Sequence, residues 1–388
     1  MNPFKITSLL PLALAAALAG CAQQAAAPGT VNAAGAAQIA AASVTRQAPA
    51  EGLYEIAYST KQDAVFVASA GGRGEDAAPA KIQRLHPESL AVQAEILLDR
   101  KGYGLKLDDA ANRLYIGNTN DASITVVDTT TNKVIGIVQL AEKIKAPGPD
   151  GKEAERYPHS FREMAVDSAN HRLYAPGLWF QESALYIVDT RTLKTEKVLP
   201  GFGFVATGVT LDAKAGKLFV SNLQGQFFTV DTSTLAVTKA EAGGDQLLNL
   251  EFDQGARRVL ATDQGLENID GMRTKLGKLE NYSQRSKGNR VVVLDPANGK
   301  LLASMPTGAG PVALLLDEPR DRLYVTNRVA GTLSVFNSRS HALLQTIPVP
   351  THPNSLALDA RRNVLYVTIK NGEKDPKGAK ESVARIKL

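Results

Sequence analysis

The residues of this chain that could do chemistry form two groups, a scattered polar set and a basic strip. Each residue of the polar set lies at or just before the start of a short apolar run that is typical of a β-strand. They are Tyr103, His159, Arg162, Glu163, Asn249 and Asn354. Phenol, imidazole, guanidinium, carboxylate and amide groups all make directed hydrogen bonds, so the set predicts a place where a ligand binds. Such a polar place often holds only water, so the set predicts a location and not a reaction.

The basic strip runs from Met272 to Arg290 and contains one acidic residue, Glu280. Its candidate binding residues are Arg273, Lys275, Lys278, Tyr282 and Arg285. Lysine and arginine contact phosphate groups and an aromatic ring stacks on a base, so the strip predicts single-stranded DNA binding as one alternative function. A solvated loop can have the same composition, and a net charge of +5 does not argue for nucleic acid by itself.

Motifs for catalysis are missing from the sequence. It contains neither the Gly-x-Ser-x-Gly of a serine nucleophile nor the His-Glu-x-x-His of a zinc enzyme, and its five histidines lack metal-ligand spacing. We therefore expect no cofactor, no metal and no catalytic residue. The minimal machinery for a hydrolase would be His159 as base with Arg162 steadying an oxyanion, and a lactonase-type hydrolase is the second alternative function.

The elements that must position these residues are copies of one unit of four short strands. Residues 311–350 show the unit in its plainest form, with apolar strands separated by turn-forming residues. We align the copies on the residue that ends the first strand, which is Ser59, Asp108, Asp167, Asp212, Asp253, Asp317 or Asp359. The shortest spacings lie close to the 40 to 45 residues of four-stranded propeller repeats.

Seven such units, each too small to fold alone, predict an all-β fold, a seven-bladed β-propeller of four-stranded antiparallel blades. The seventh unit supplies only three strands before the chain stops, the third being residues 383–388. We expect residues 39–48 to pair beside that strand and close the ring, unless they are simply more linker. Trp179 lies in the loop between the second and third strands of blade 3, where it serves either as a binding anchor or as packing against the next blade.

The N-terminus has the pattern of an exported protein. Lys5 precedes an apolar run over residues 6–19, which is typical of a signal peptide and too short to span a bilayer. Leu18-Ala19-Gly20-Cys21 resembles the lipobox of bacterial lipoproteins, which implies lipidation at Cys21; Ala22 after it implies the outer membrane. We therefore divide the chain into a signal peptide (1–20), a flexible linker (21–38) and the propeller (39–388).

The repeated second strand, for example Arg322-Leu323-Tyr324-Val325-Thr326-Asn327, resembles the YVTN-repeat propellers. Together with the lipobox, the layout resembles the YncE-like family over residues 53–388. In that family single-stranded DNA binding has been attributed to a member, and some related seven-bladed propellers are lactonases.

These patterns predict an outer-membrane lipoprotein that faces the periplasm and acts as a non-catalytic binding scaffold. Three insertions, at residues 71–80, 142–158 and 263–289, all fall on one face of the predicted ring, and we expect that face to bind. The partner is an unidentified protein or small-molecule ligand, or single-stranded DNA. We expect a monomer that meets the membrane only through its lipid anchor.

Overall fold

The computed structural model describes residues 42–388, apart from residues 73–76, 149, 150, 278, 280 and 281. The predicted signal peptide, Cys21, the predicted linker, residues 39–41 of the predicted closing strand and Lys278 therefore lie outside the described residues. Within the described residues, no helix is both long enough and apolar enough to cross a bilayer.

Seven antiparallel sheets confirm the predicted seven-bladed β-propeller. The strands of each blade are given from the inner to the outer one. Blade 1 consists of Leu53–Ser59, Ala64–Ser69, Lys81–Leu85 and Val92–Leu97, and blade 2 of Gly104–Asp108, Arg113–Asn118, Ser123–Asp128 and Lys133–Gln139. In blade 3 the inner strand has two parts, Ser160–Phe161 and Ala165–Asp167, and the others are Arg172–Leu178, Ala184–Asp189 and Lys194–Leu199. Blade 4 consists of Ala206–Asp212, Lys217–Asn222, Gln226–Asp231 and Val237–Glu241. Blade 5 consists of Leu247–Asp253, Arg258–Asp263, Arg290–Leu294 and Leu301–Pro306, and blade 6 of Pro311–Asp317, Arg322–Asn327, Thr332–Asn337 and Leu343–Pro348. Blade 7 is His352–Asp359, Val364–Lys370, Glu381–Lys387 and Ser43–Ala50.

The hydrophobic core lies between the blades. Seven of the buried clusters each join two consecutive blades, as where Phe66 and Ile82 of blade 1 pack with Leu114 and Ile116 of blade 2. Because a blade is covered on both faces, its second strand is a continuous apolar run; all six residues of Ala64–Ser69 are buried. The outer strands alternate toward solvent, and Lys133–Gln139 is mostly exposed.

Two of the predicted insertions contain regular structure. The insertion before blade 3 forms a hairpin of strands Ile144–Pro147 and Glu153–Arg156. The blade-5 insertion contains a helix, Glu267–Met272, followed by the π-helical turn Arg273–Gly277. A 3₁₀ turn, Glu318–Arg320, links the first two strands of blade 6.

Ring closure follows the prediction. The N-terminal strand Ser43–Ala50 pairs antiparallel with the C-terminal strand Glu381–Lys387, in a register that puts Ser43 opposite Lys387 and Gln47 opposite Val383. Blade 7 is thus built from both ends of the chain. Arg362 adds an ionic contact between blades 7 and 1, since its Nη1 lies 2.7 Å from Oδ1 of Asp63.

Removing residues 43–50 should lower the melting temperature by on the order of 10 °C, because blade 7 loses its outer strand and the ladder to residues 381–387. Differential scanning calorimetry of the truncated chain measures the change. Deletion of residues 22–38, the predicted linker, is the control and should leave the melting temperature unchanged. An identical melt for both deletions would show that the N-terminal strand does not hold the ring closed.

Candidate functional site

The inner strands of all seven blades surround a central cavity with a volume of about 520 Å³. Five of these strands break register with their neighbour near their start, at Leu53/Ile56, Ala206/Gly208, Leu247/Leu250, Pro311/Leu314 and Pro353/Leu356. A β-bulge of this kind inserts an extra residue and changes the direction of the side chains beside it. The predicted polar residues Asn249 and Asn354 lie at two of these breaks.

Blade 3 has the largest interruption. Its inner strand pairs at Ser160–Phe161 and again at Ala165–Asp167, which leaves Arg162, Glu163 and Met164 outside the ladder. The neighbouring Pro176 has no N–H to offer at this point. Gly104 of blade 2 makes room for the interruption, because a Cβ there would lie 1.8 Å from the carbonyl oxygen of Arg162.

Arg162 is the centre of a polar cluster, which also contains Glu163, Glu55 and Asn249. Its Nη2 donates to Oε1 of Glu163 at 2.8 Å and to Oδ1 of Asn249, and its Nε lies 3.6 Å from Oε1 of Glu55. Asn249 Nδ2 donates to the same Glu163 oxygen at 3.0 Å. Glu55 Oε2 accepts the backbone N–H of Leu105 at 2.8 Å. The Arg162 cluster therefore links blades 1, 2, 3 and 5 across the channel.

The two carboxyl groups of the cluster titrate in opposite directions. Burial, and then the charge of Glu163, raise the pKa of Glu55 well above its usual value. Burial also acts to raise the pKa of Glu163, but Arg162 and the hydrogen bond from Glu55 outweigh it, so that the pKa of Glu163 is lowered. Within the pair, Glu55 therefore holds its proton more tightly, and Arg162 stabilises the negative charge on Glu163.

Glu251 lines the same cavity, at an inner-strand position two residues further along than the position of Glu55 and Glu163. It is the third-from-last residue of its inner strand, where the other blades have Ala57, Lys106, Ala165, Thr210, Leu315 and Ala357. Burial raises the pKa of Glu251 to about 7; Lys106 opposes this shift, while Glu163 and Glu318 add to it. Among the described residues, the Glu251 carboxyl has neither a hydrogen bond nor an ion pair.

Tyr103 and Asn354 also take places around the channel. Tyr103 packs edge-on to Tyr54 with the ring centroids 5.5 Å apart, and the guanidinium of Arg162 lies 6.0 Å from the Tyr54 ring centroid. Asn354 Nδ2 donates to the carbonyl oxygen of Tyr54 at 3.3 Å. The structure thus brings Tyr103, Arg162, Glu163, Asn249 and Asn354 to one site.

Sequence reasoning missed Glu55, Lys106 and Glu251. The repeat alignment itself contained the signal, since Glu55 and Glu163 both lie four residues before the residue that ends the inner strand. Lys106 and Glu251 both lie two residues before it. A search for charged residues at equal positions of the seven repeats would have found all three.

His159 and Trp179 lie elsewhere on the molecule. His159 lines a second cavity of about 390 Å³, together with Lys143 and Tyr157 near the hairpin insertion. Its ring nitrogens are both engaged, Nδ1 with the hydroxyl of Tyr186 at 2.9 Å and Nε2 with the carbonyl oxygen of Glu182 at 3.1 Å. Trp179 is partly buried and stacks on Phe180, with the ring centroids 4.3 Å apart.

The basic strip is largely tied into the fold. Arg273 is only 1 % exposed, and its Nη1 lies 3.1 Å from Asp245 and 2.7 Å from Asp270. Tyr282 lies against the Arg273 guanidinium, 4.3 Å from ring centroid to Cζ, and donates its hydroxyl proton to Asp245. Arg285 pairs with Glu241 at 2.8 Å, whereas Lys275 is exposed. The contacts of Arg273 and Tyr282 therefore anchor the insertion, which is a role that the sequence did not predict.

Comparison with known proteins finds no family model that matches this chain. The uncharacterized protein YncE of Salmonella typhimurium is 31 % identical over 308 residues, and so is that of Salmonella typhi; the match covers 78 % of this chain and 78 % of each relative. YncE of Escherichia coli O157:H7 is 30 % identical over 271 residues, covering 69 % of this chain and 68 % of the relative.

Replacing Glu251 by Gln should stabilise the protein above pH 7 and leave its stability unchanged below pH 4. The raised folded-state pKa of about 7 means that the Glu251 contribution to stability is present below the ordinary carboxyl pKa and is lost as the pH rises toward 7. A neutral amide avoids that loss, which is about 3 kcal/mol in the free energy of unfolding. Urea unfolding at pH 4 and pH 8 measures the difference between the two chains.

Glu267→Gln, at an exposed helical carboxylate, is the matched control and should show no pH-dependent gain. A Glu251→Gln variant that is less stable than the wild type at pH 8 would mean that the Glu251 carboxylate has a stabilising partner.

Proposed function

Because the chain belongs to the YncE family and folds as a seven-bladed propeller, we propose that it is a non-catalytic binding protein that holds a small ligand in its central channel. The observation that carries the proposal is Glu251, a carboxyl group kept inside the cavity with neither hydrogen bond nor ion pair among the described residues. Groups that lower stability without serving the fold are typical of sites that bind.

The size of the cavity supports a small-molecule ligand. Its volume of about 520 Å³ lies in the range of known ligand pockets. Three small residues, Ala57, Ala165 and Ala357, line the cavity at the inner-strand position that Glu251 takes in blade 5. The Arg162 cluster supplies directed polar groups on one side of the same space.

The blade-5 insertion bears on how a ligand enters. Ile269 and Met272 of the insertion pack with Leu248 and Val312, which lie near the starts of the inner strands of blades 5 and 6. This apolar cluster covers that side of the channel mouth. We place the entrance on the opposite side, past Tyr54, Tyr103 and Asn354, on the face that bears the insertions.

The N-terminal pattern supports a tethered position. We propose that Cys21 is lipidated, that the chain is held at the outer membrane and that it faces the periplasm as a monomer. The lipobox-like Leu18-Ala19-Gly20-Cys21 is the support for this proposal.

The contacts of the two alternative sites do not favour them. For a hydrolase, His159 lines the second cavity and Arg162 lines the central one, with both imidazole nitrogens of His159 already engaged. For single-stranded DNA, Arg273 is buried between two aspartates and so presents no surface charge to a phosphate.

A thermal-shift screen of the purified chain tests channel binding, with sets of small organic cations, anions and neutral sugars. At least one compound should raise the melting temperature, because a ligand that binds only the folded state stabilises it by RT ln(1 + [L]/Kd). Thr210→Trp places a large side chain in the cavity and should abolish the shift, whereas Glu267→Gln should keep it. The proposal fails if no compound acts, or if every active compound acts equally on Thr210→Trp.

Cys21→Ser should move the protein from the membrane fraction to the soluble periplasmic fraction, because the lipid supplies the membrane affinity. Fractionation followed by immunoblotting measures the distribution, with Ala22→Ser as the control that keeps the cysteine. If Cys21→Ser stays with the membrane, the anchor is not a lipid on this residue.

A further inference from the structure

The charged groups that line the central cavity are unequal in number. Five charged residues line it, three of them acidic and two basic. The acidic residues are Glu55, Glu163 and Glu251, and the basic residues are Arg162 and Lys106. Burial raises the pKa of Glu55 well above its usual value and Glu163 lies against Arg162, so the carboxyl left to meet a ligand is that of Glu251, which has neither a hydrogen bond nor an ion pair among the described residues.

We infer that the ligand of this channel is a cation whose ammonium or guanidinium group binds against the Glu251 carboxylate. This inference rests on the proposed function and adds the chemical class of the ligand. A carboxylate is the natural partner for such groups, since ammonium and guanidinium are donors only.

An anionic ligand would lack a free partner at the Arg162 cluster. Arg162 already donates to Glu163 and Asn249 and lies near Glu55, so its charge is balanced within the cluster. An anion in the cavity would also face the Glu163 and Glu251 carboxylates, and like charges at short range oppose binding. Lys106 is the remaining cation of the lining, and it is exposed.

The Tyr54 ring at the proposed entrance already attracts cations. The Arg162 guanidinium lies 6.0 Å from the Tyr54 ring centroid, and the Lys370 ammonium lies 5.7 Å from it. Aromatic faces attract positive charge through their quadrupole.

Cation binding should displace a proton from Glu251. The groups that act on Glu251 are Lys106 of blade 2, Glu163 of blade 3 and Glu318 beside blade 6. On the adjacent inner strands, Asp212 is paired with Arg257 at 2.5 Å and Asp317 with Arg320 at 3.1 Å, so neither is a competing partner. Since the pKa of Glu251 is about 7, the affinity for a cation should be about tenfold higher at pH 8 than at pH 6.

Isothermal titration of the purified chain with three four-carbon probes tests the inference. Putrescine carries two ammonium groups, 1,4-butanediol is its neutral counterpart, and succinate is its anionic counterpart. Putrescine should bind about tenfold more tightly at pH 8 than at pH 6, and at pH 6 binding should release close to one proton into the buffer. Neither butanediol nor succinate should bind.

Three variants locate the binding. Glu251→Gln should weaken putrescine binding by at least about tenfold and remove its pH dependence, while Thr210→Trp should abolish it. Glu267→Gln should bind as the wild type does. A melting curve for each variant confirms that it is folded before titration.

The possible failures are distinguishable. If succinate or butanediol binds in a Thr210-dependent way and putrescine does not, the ligand class is wrong while the channel remains a binding site. Putrescine binding that survives in Glu251→Gln also overturns the inference. If no probe binds and the thermal-shift screen finds no ligand, the proposed function itself fails.

Discussion

Burial of apolar side chains between neighbouring blades is the interaction on which the rest of this structure depends. Seven clusters each combine residues of two consecutive blades, so that no single blade has a core of its own. Tyr366 of blade 7, for example, packs with Val65 and Leu85 of blade 1. An open ring would leave two such faces in water, and the pairing of Ser43–Ala50 with Glu381–Lys387 is therefore part of the core rather than an accessory to it.

The central channel is the part of the fold that this constraint leaves free. An inner strand has a ladder partner on one side only, and its other edge faces the axis. Side chains at that edge vary more between blades than those of the second strands, and one position holds Ala57, Lys106 and Glu251 in different blades. The second strands have no such freedom, since Leu114 and Tyr174 are buried on both sides. Variation along the axis is thus a better guide to function than the repeat itself.

The fold was predictable because the same physical requirement recurs seven times in the sequence, once in each unit that ends at Ser59, Asp108 or a corresponding residue. The site was predictable only in part. Asn249 and Glu163 could be placed near the axis from their position before an aspartate, but their shared contact with Arg162 depends on the ring radius and on the interrupted strand of blade 3. The burial of Arg273 against Asp245 could not be predicted, because Asp245 lies 28 residues earlier and no local pattern joins the two residues.

The Arg162 cluster and Glu251 lie at two levels of the channel, and we assign a structural role to the first and ligand recognition to the second. At the level of Arg162, ionisable groups from blades 1 and 3 contact one another, and removing one of them would leave a buried charge without a partner. At the level of Glu251, the carboxyl makes no contact that the fold requires among the described residues. A substitution at Glu251 can therefore change specificity without removing a contact on which the ring depends. Related propellers with a different residue at the position of Glu251 should differ in ligand and share the fold.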